Sequence, residues 1–288
     1  MSLISRSFTR SRASLLATSM FATTALAGLG GVVGAVVLTP GAAFAQACAP
    51  DAQGTLALTN TVGSPSAETC LGNYAGGIGY TETATGGNLS VALDGPGTVA
   101  GVLLNDSGGA TAANITLVLG NSTAAGQNIV TNTTANAITI NSTGGNVVIA
   151  TGNSTIPGES IVGNVGGIDV STTGAGTVNV STIANVTGLA SNGIRTHTVD
   201  GSNTVTVGGN VVAGAGSGIR AYSTGNGAVL VTLGNLTTGS GNATTTTPYS
   251  VTDNGGNGVL AEQLGGGNAT ATIVSTDPGS VTVGNATN

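Results

Sequence analysis

The chain has no lysine and no tryptophan, and its five cations are all arginines. Three of these, Arg6, Arg10 and Arg12, sit at the extreme N-terminus, so the sequence beyond residue 45 sets only Arg195 and Arg220 against 11 carboxylates. So little positive charge argues against binding nucleic acid or an anionic membrane surface by counterion release. It suits a soluble protein kept apart from its neighbours by like charge. Aromatic residues are 2% and charged residues 6% of the 288, far below the usual globular recipe, which argues against an ordinary enzyme core. There is one histidine, His197, and the glycine clusters include no Gly-Lys-Ser/Thr phosphate loop and no Gly-Gly-x-Gly-x-Asp calcium nonapeptide. No metal ion or cofactor is therefore expected.

What the chain does have is glycine, 50 residues of it, and a 40% hydrophobic content rich in Val, Ile and Leu. That content is too high for a disordered chain, so a regular structure is expected to bury it.

Residues 1–45 read as a secretory signal. A basic start is followed by an apolar stretch from about Leu15 to Leu38, then Pro40 and the small-residue site Ala43-Phe44-Ala45 ahead of Gln46. Cleavage is expected after Ala45. The alternative is an uncleaved membrane anchor, because the apolar stretch is long enough to span a bilayer. Neither reading is cytoplasmic. The only cysteines, Cys48 and Cys70, lie just past this site, and an even pair in an exported chain is most simply a disulfide. Closing that short loop contributes about 3 kcal/mol on the chain-entropy estimate. It is expected to staple an N-terminal cap spanning residues 46–78.

From residue 79 to 288 the sequence repeats itself. GIRTHTVDGSNTVTV from Gly193 is followed by GIRAYSTGNGAVLVTL from Gly218, and related copies begin at Gly79, Gly101, Ala137, Gly167 and Gly258. The best-conserved spacing is about 25 residues, the mark of a solenoid. In each copy an aliphatic residue follows a small one, a Gly- or Asn-rich turn comes next, and apolar residues then alternate, as in Val178/Val180, Val205/Val207 and Val229/Val231/Leu233. Alternation at period two in β-branched residues is a strand signal. Gly, Asn and Asp between the strands are expected to supply the positive φ angles of tight corners. One strand pair cannot bury its apolar face alone, whereas coils stacked about 4.8 Å apart put valine over valine. The expected fold class is therefore all-β, a right-handed parallel β-helix preceded by an N-terminal signal helix, with each copy forming one coil.

Aligning the copies brings chemistry into columns. Asp169, Arg195, Arg220 and Leu260 share one column, and Ser171, His197, Tyr222 and Glu262 share another. Asp169, Arg195, His197, Arg220 and Tyr222 thus form a possible surface patch, read either as a glycan-binding or acid/base site or as a solvated face with an ion pair of about 0–1 kcal/mol. An insertion at residues 239–257 interrupts the repeats and contains Pro248 and Tyr249. Loops leaving a rigid scaffold often carry binding, so these two residues mark the possible recognition loop. Asn-x-Ser/Thr triplets at Asn88, Asn114, Asn121, Asn185 and Asn242 are expected by chance in so Asn- and Thr-rich a chain.

The long export signal, the Cys-containing start and repeats such as GIDVSTTGAGTVNVSTIANVTG resemble the passenger region of Gram-negative autotransporters. That resemblance implies a right-handed β-helical passenger displayed at the cell surface or secreted, joined in cis to a C-terminal outer-membrane β-barrel. No segment here has the aromatic-girdled alternation of such a barrel, and the sequence stops at GSVTVGNATN, so a fragment of a longer protein is expected. The expected function is a non-enzymatic, adhesin-like structural protein whose partner is a glycan or protein on a host or neighbouring cell. The competing reading is a polysaccharide-active β-helix enzyme, a lyase or hydrolase, which needs clustered carboxylates. A two-partner secreted exoprotein predicts the same solenoid, but the Asn-Pro-Asn-Gly-Ile signature is not found near the mature start.

Overall fold

The computed structural model describes residues 46–47, 56–58, 66–70, 74–82, 88–93, 97–106, 113–120, 128–151, 160–234, 250–265 and 271–275. All of them belong to the compact unit Thr39–Asn288. Ala43, Ala45, Cys48, Pro248, Tyr249 and the expected signal helix lie outside the described residues.

Every regular element among the described residues is a strand. In chain order these are β1 (Gln46–Ala47), β2 (Leu56–Leu58), β3 (Ser66–Cys70), β4 (Ile78–Glu82), β5 (Leu89–Leu93), β6 (Gly97–Val99), β7 (Val102–Asp106) and β8 (Ile115–Leu119). They continue with β9 (Asn128–Asn132), β10 (Ile138–Ser142), β11 (Val147–Thr151), β12 (Ser160–Gly163), β13 (Ile168–Thr172), β14 (Val178–Thr182), β15 (Asn185–Gly188) and β16 (Ile194–Thr198). The last are β17 (Asn203–Val207), β18 (Val211–Ala213), β19 (Ile219–Ser223), β20 (Val229–Leu233), β21 (Val251–Asp253), β22 (Val259–Gln263) and β23 (Ala271–Ser275).

They form three parallel sheets of regularly stacked strands. The first has nine strands, β1-β3-β5-β8-β11-β14-β17-β20-β23; the second has eight, β2-β4-β7-β10-β13-β16-β19-β22; the third has six, β6-β9-β12-β15-β18-β21. From β4 onward the chain visits the second, first and third sheets in turn and then starts again one coil further on. The result is a parallel β-helix-like fold. Six coils, from the one opening with β4 to the one opening with β19, have a third strand that the repeats did not reveal. Segments such as SIVG, NVTG and VVA are only three or four residues long, too short for alternation to register.

Strands also occur in the segment expected as a cap and in the expected insertion. The ladders already run through the segment expected to be a cap, since β1 pairs with β3 and β2 with β4. Within the expected insertion, Val251–Asp253 is β21, in register with Val211–Ala213. Cys70, at the end of β3, is buried and disulfide-bonded.

The core follows from the register. In the second sheet, Ile78, Val102, Ile138, Ile168, Ile194, Ile219 and Val259 stack as one inward column. The next inward column runs Tyr80, Leu104, Ile140, Val170, Thr196, Ala221 and Ala261, shrinking steadily along the chain. The first sheet contributes Leu117, Ile149, Val180, Val205 and Val231, and the third Val130, Ile161, Val186, Val211 and Val251. Nearly all of these are fully buried, and each such aliphatic side chain contributes about 1.5–3 kcal/mol relative to exposure. A fifth inward position in the second sheet is polar throughout: Asp106, Ser142, Thr172, Thr198 and Ser223 are all buried. There the Asp106 carboxylate accepts bonds from Thr143 Oγ1 (3.0 Å), the Thr143 and Ala113 amides and Ser142 Oγ. At Asp106 and Ser142 this position fastens the strand end to the turn that follows.

The small residue of each repeat has a steric cause. A Cβ on Gly167, Gly193 or Gly218 would lie 2.4 Å from the Cγ1 of Val186, Val211 or Val251. Each of these glycines precedes its buried isoleucine because the inward valine of the third sheet occupies that space. A second column, Gly176, Gly201 and Gly227, lies at the corner between the second and first sheets. There a Cβ would meet the carbonyl oxygen of the glycine one coil back at 2.1, 1.9 and 1.9 Å. Corner asparagines also join successive coils, a role beyond the turns expected of them. At all three corners the side-chain oxygen accepts an amide of the next coil: Asn136 Oδ1 from Gly166 (2.8 Å), Asn146 Oδ1 from Thr177 (2.9 Å) and Asn210 Oδ1 from Ser250 (2.8 Å).

Coil length varies most at the corner between the first and third sheets. There the connection is Ile183–Ala184 after β14 but runs from Gly234 to Ser250 after β20. Among the described residues no helix is long and apolar enough to cross a membrane.

Candidate functional site

The second sheet carries the charged face. In β13, β16, β19 and β22 the first and third residues point inward, so the second and fourth face outward. The register places Asp169, Arg195, Arg220 and Leu260 in one outward column and Ser171, His197, Tyr222 and Glu262 in the other. These are the columns that aligning the repeats predicts. All five residues of the expected patch are brought together.

The contacts are specific. Arg195 Nη1 donates to both carboxylate oxygens of Asp169, at 2.9 and 3.2 Å, and its Nη2 donates to the Tyr222 hydroxyl. Arg220 donates through Nε and Nη2 to Glu262 Oε2 at 3.3 and 3.2 Å. The Tyr222 ring lies among three cationic or aromatic neighbours. The His197 ring stacks on it with centroids 4.5 Å apart, and the guanidinium carbons of Arg220 and Arg195 lie 4.7 and 5.5 Å from its centre. Two stacked arginines are thus accommodated by two carboxylates and an intervening ring.

The electrostatics follow from this packing. Burial disfavours the Arg195 cation, but the Asp169 carboxylate and the contact with Tyr222 outweigh it and raise the pKa above the usual arginine value. Burial and then the positive charge of Arg195 lower the His197 pKa, with Asp169 acting in the opposite sense. His197 Nε2 lies 3.1 Å from Thr224 Oγ1. The ion-pair side chains are 25–37% exposed, so each pair contributes about 0–1 kcal/mol after screening.

Beside Asp169 and Arg195 is an open, polar hollow of about 250 Å³ whose rim includes Asn136, Ser191 and Asn192. Asn136 Nδ2 donates to Asp169 Oδ2 at 3.2 Å, and Asn192 Nδ2 to Ser191 Oγ at 3.3 Å. The sequence reading missed both asparagines, although each stands two residues before a buried isoleucine, Ile138 and Ile194. The hollow offers amides, a hydroxyl, a carboxylate and a guanidinium to a polar ligand. Acid/base chemistry fits it less well. Asp169 and Glu262 are three coils apart, roughly 14 Å at the usual strand spacing, whereas paired glycosidase carboxylates stand about 5–10 Å apart. Among the described residues no group of three or more His, Cys, Asp or Glu side chains is placed to hold a metal ion.

Fold and face together define a parallel β-helix-like solenoid with a charged lateral surface. No family model matches the chain, and the comparisons with curated proteins and with solved structures found no match.

Proposed function

We propose that the chain is an exported structural and interaction protein, an adhesin-like passenger built as a right-handed parallel β-helix and displayed at the cell surface or secreted. The observation that carries this reading is the mutual neutralisation of the charged face. Arg195 is held by Asp169 and Arg220 by Glu262, leaving a rigid polar surface suited to contact. The signal-like N-terminus supports export. In this reading residues 1–45 are removed before Gln46, and Cys48 pairs with Cys70. The partner is a glycan or protein on a host or neighbouring cell, and an outer-membrane β-barrel in cis completes the protein if the chain is longer. The wide separation of Asp169 and Glu262 makes a polysaccharide hydrolase the weaker reading.

The test is to express the full chain in a Gram-negative host, sequence the N-terminus of the exported product, and incubate that product with surface polysaccharides. A start at Gln46 and binding without turnover are expected. Retention in the cytoplasm, or hydrolysis or elimination of a polysaccharide, would refute the proposal.

A further inference from the structure

The interior of the solenoid contains polar atoms with no protein partner, grouped behind the charged face. Asn203 opens β17 at an inward position where the adjacent coils place Val178 and Val229. It is fully buried. Both protons of its side-chain amide are engaged: Nδ2 donates to the carbonyls of Thr196 (3.1 Å) and Tyr222 (3.0 Å). Turning the amide over would set its oxygen against those two carbonyl oxygens, so the orientation is fixed and Oδ1 faces the other way. Asn203 Oδ1 has no hydrogen-bond partner in the protein, and neither do the hydroxyls of Thr196, Thr198 and Thr172. All three threonines are fully buried.

These four oxygens belong to neighbouring positions. Thr196 and Thr198 are both inward on β16, and Asn203 reaches the Thr196 carbonyl from the adjoining sheet. Thr172 occupies the same inward polar column as Thr198, one coil earlier on β13. Buried polar groups in native proteins are almost always paired with protein or ordered water. The side chains of the column containing Thr196 also become smaller along the chain. They fall from Ile140 and Val170 below to Ala221 and Ala261 above, and a water molecule needs only about 15 Å³ of accessible space.

We infer that the solenoid holds ordered water inside this coil, bound by Asn203 Oδ1 and the hydroxyls of Thr196, Thr198 and Thr172. The water donates to the amide oxygen, which has no other donor in reach. The hydroxyls rotate to give or accept the remaining bonds. Because Asn203 also ties together the carbonyls of Thr196 and Tyr222, the hydrated coil backs the strands that carry Arg195, His197 and Tyr222.

A high-resolution crystal structure of the full chain tests this directly. Solvent density within hydrogen-bonding distance of Asn203 Oδ1 and at least one of the threonine hydroxyls is expected; a dry interior at this coil overturns the inference. Thermal unfolding of Thr196→Val and Thr198→Val gives a second readout. Valine matches threonine in shape, so in a dry interior either change should leave Tm unchanged or raise it, and that result in both variants also overturns the inference. If the hydroxyls hold water, each variant strands a bound partner and lowers Tm by about 2–4 °C.

Discussion

The glycine column at the corner between the second and first sheets allows a quantitative test of coil-to-coil packing. In Gly201→Ala the new Cβ would lie 1.9 Å from the carbonyl oxygen of Gly176, 2.4 Å from its carbon and 2.8 Å from the oxygen of Ala175. All three are backbone atoms, so no side chain can swing aside. Restoring contact to a tolerable distance requires the two coils to part locally by about 1 Å, which a close-packed interior resists. Two bonds join these coils on either side of Gly201: Val178 N to Ser202 O at 2.9 Å and Asp200 N to Gly174 O at 3.4 Å. Losing both costs about 2 kcal/mol, and overpacking adds about 1–3 kcal/mol. The smaller entropy of the unfolded alanine chain returns about 0.4–1 kcal/mol. The net expectation is a destabilisation of about 3 kcal/mol, or a fall in Tm of about 6–12 °C for a chain of this size. Gly255 is the control. A Cβ there meets nothing nearer than Ala215 Cα at 3.5 Å, so Gly255→Ala should be neutral or slightly stabilising. Thermal unfolding of the two variants beside the parent decides the matter. Equal Tm values for Gly201→Ala and Gly255→Ala would falsify the claim that glycine is required here by the approach of successive coils.

Other expectations follow from the same geometry. Arg195→Ala removes the pair with Asp169 and the contact with Tyr222 and should cost about 1 kcal/mol in urea unfolding; a loss of the same size in 1 M salt would show that packing rather than charge is responsible. Because folding lowers the His197 pKa, the unfolded chain takes up the proton first as pH falls. The stability contributed by neutral His197 is complete above its ordinary pKa of about 6.5 and declines below it. The urea midpoint should therefore drop between about pH 7 and 5, and His197→Gln should flatten part of that slope; an identical pH profile in the variant would contradict the assignment. Asn146 Oδ1 accepts from both the amide and the hydroxyl of Thr177, at 2.9 and 3.0 Å. Asn146→Ala should cost about 1 kcal/mol, and Asn146→Asp, which keeps the acceptor, should recover most of it; equal losses in the two variants would remove the ladder as the cause.

The charged face was legible in the sequence because two strong signals fix its register. A small residue before a buried aliphatic anchors each copy, and alternation then assigns faces, so Arg195 falls above Asp169 and Tyr222 above His197 without any structural information. The partnership of Arg220 with Glu262 was harder to see because it crosses the coil whose length is most altered. The third sheet was not legible. NVTG and VVA each bury one valine, too little for a periodic signal, and VTD was absorbed into the insertion because it follows Pro248 and Tyr249. The asparagines were visible as residues but not in their role, because a side-chain oxygen bonding an amide of the next coil is a contact between repeats. Reading within one repeat assigns the same residue to a turn. Likewise Asn203, among aligned valines, reads as a weakness in the core until its amide is seen bridging Thr196 and Tyr222.

Because the connection between the first and third sheets is Ile183–Ala184 in one coil and Gly234–Ser250 in another, this corner behaves as an expansion joint. Strand register is set by ladders and asparagine bonds on both sides of it, so added chain alters nothing downstream. Closing a longer loop costs only about 0.6 kcal/mol for each doubling in length. The corner is thus the natural graft point of the scaffold. A foreign peptide or affinity tag inserted after Gly208, where the connection is short, should leave every column of the core in place, and insertions at several coils would emerge in a row along one edge.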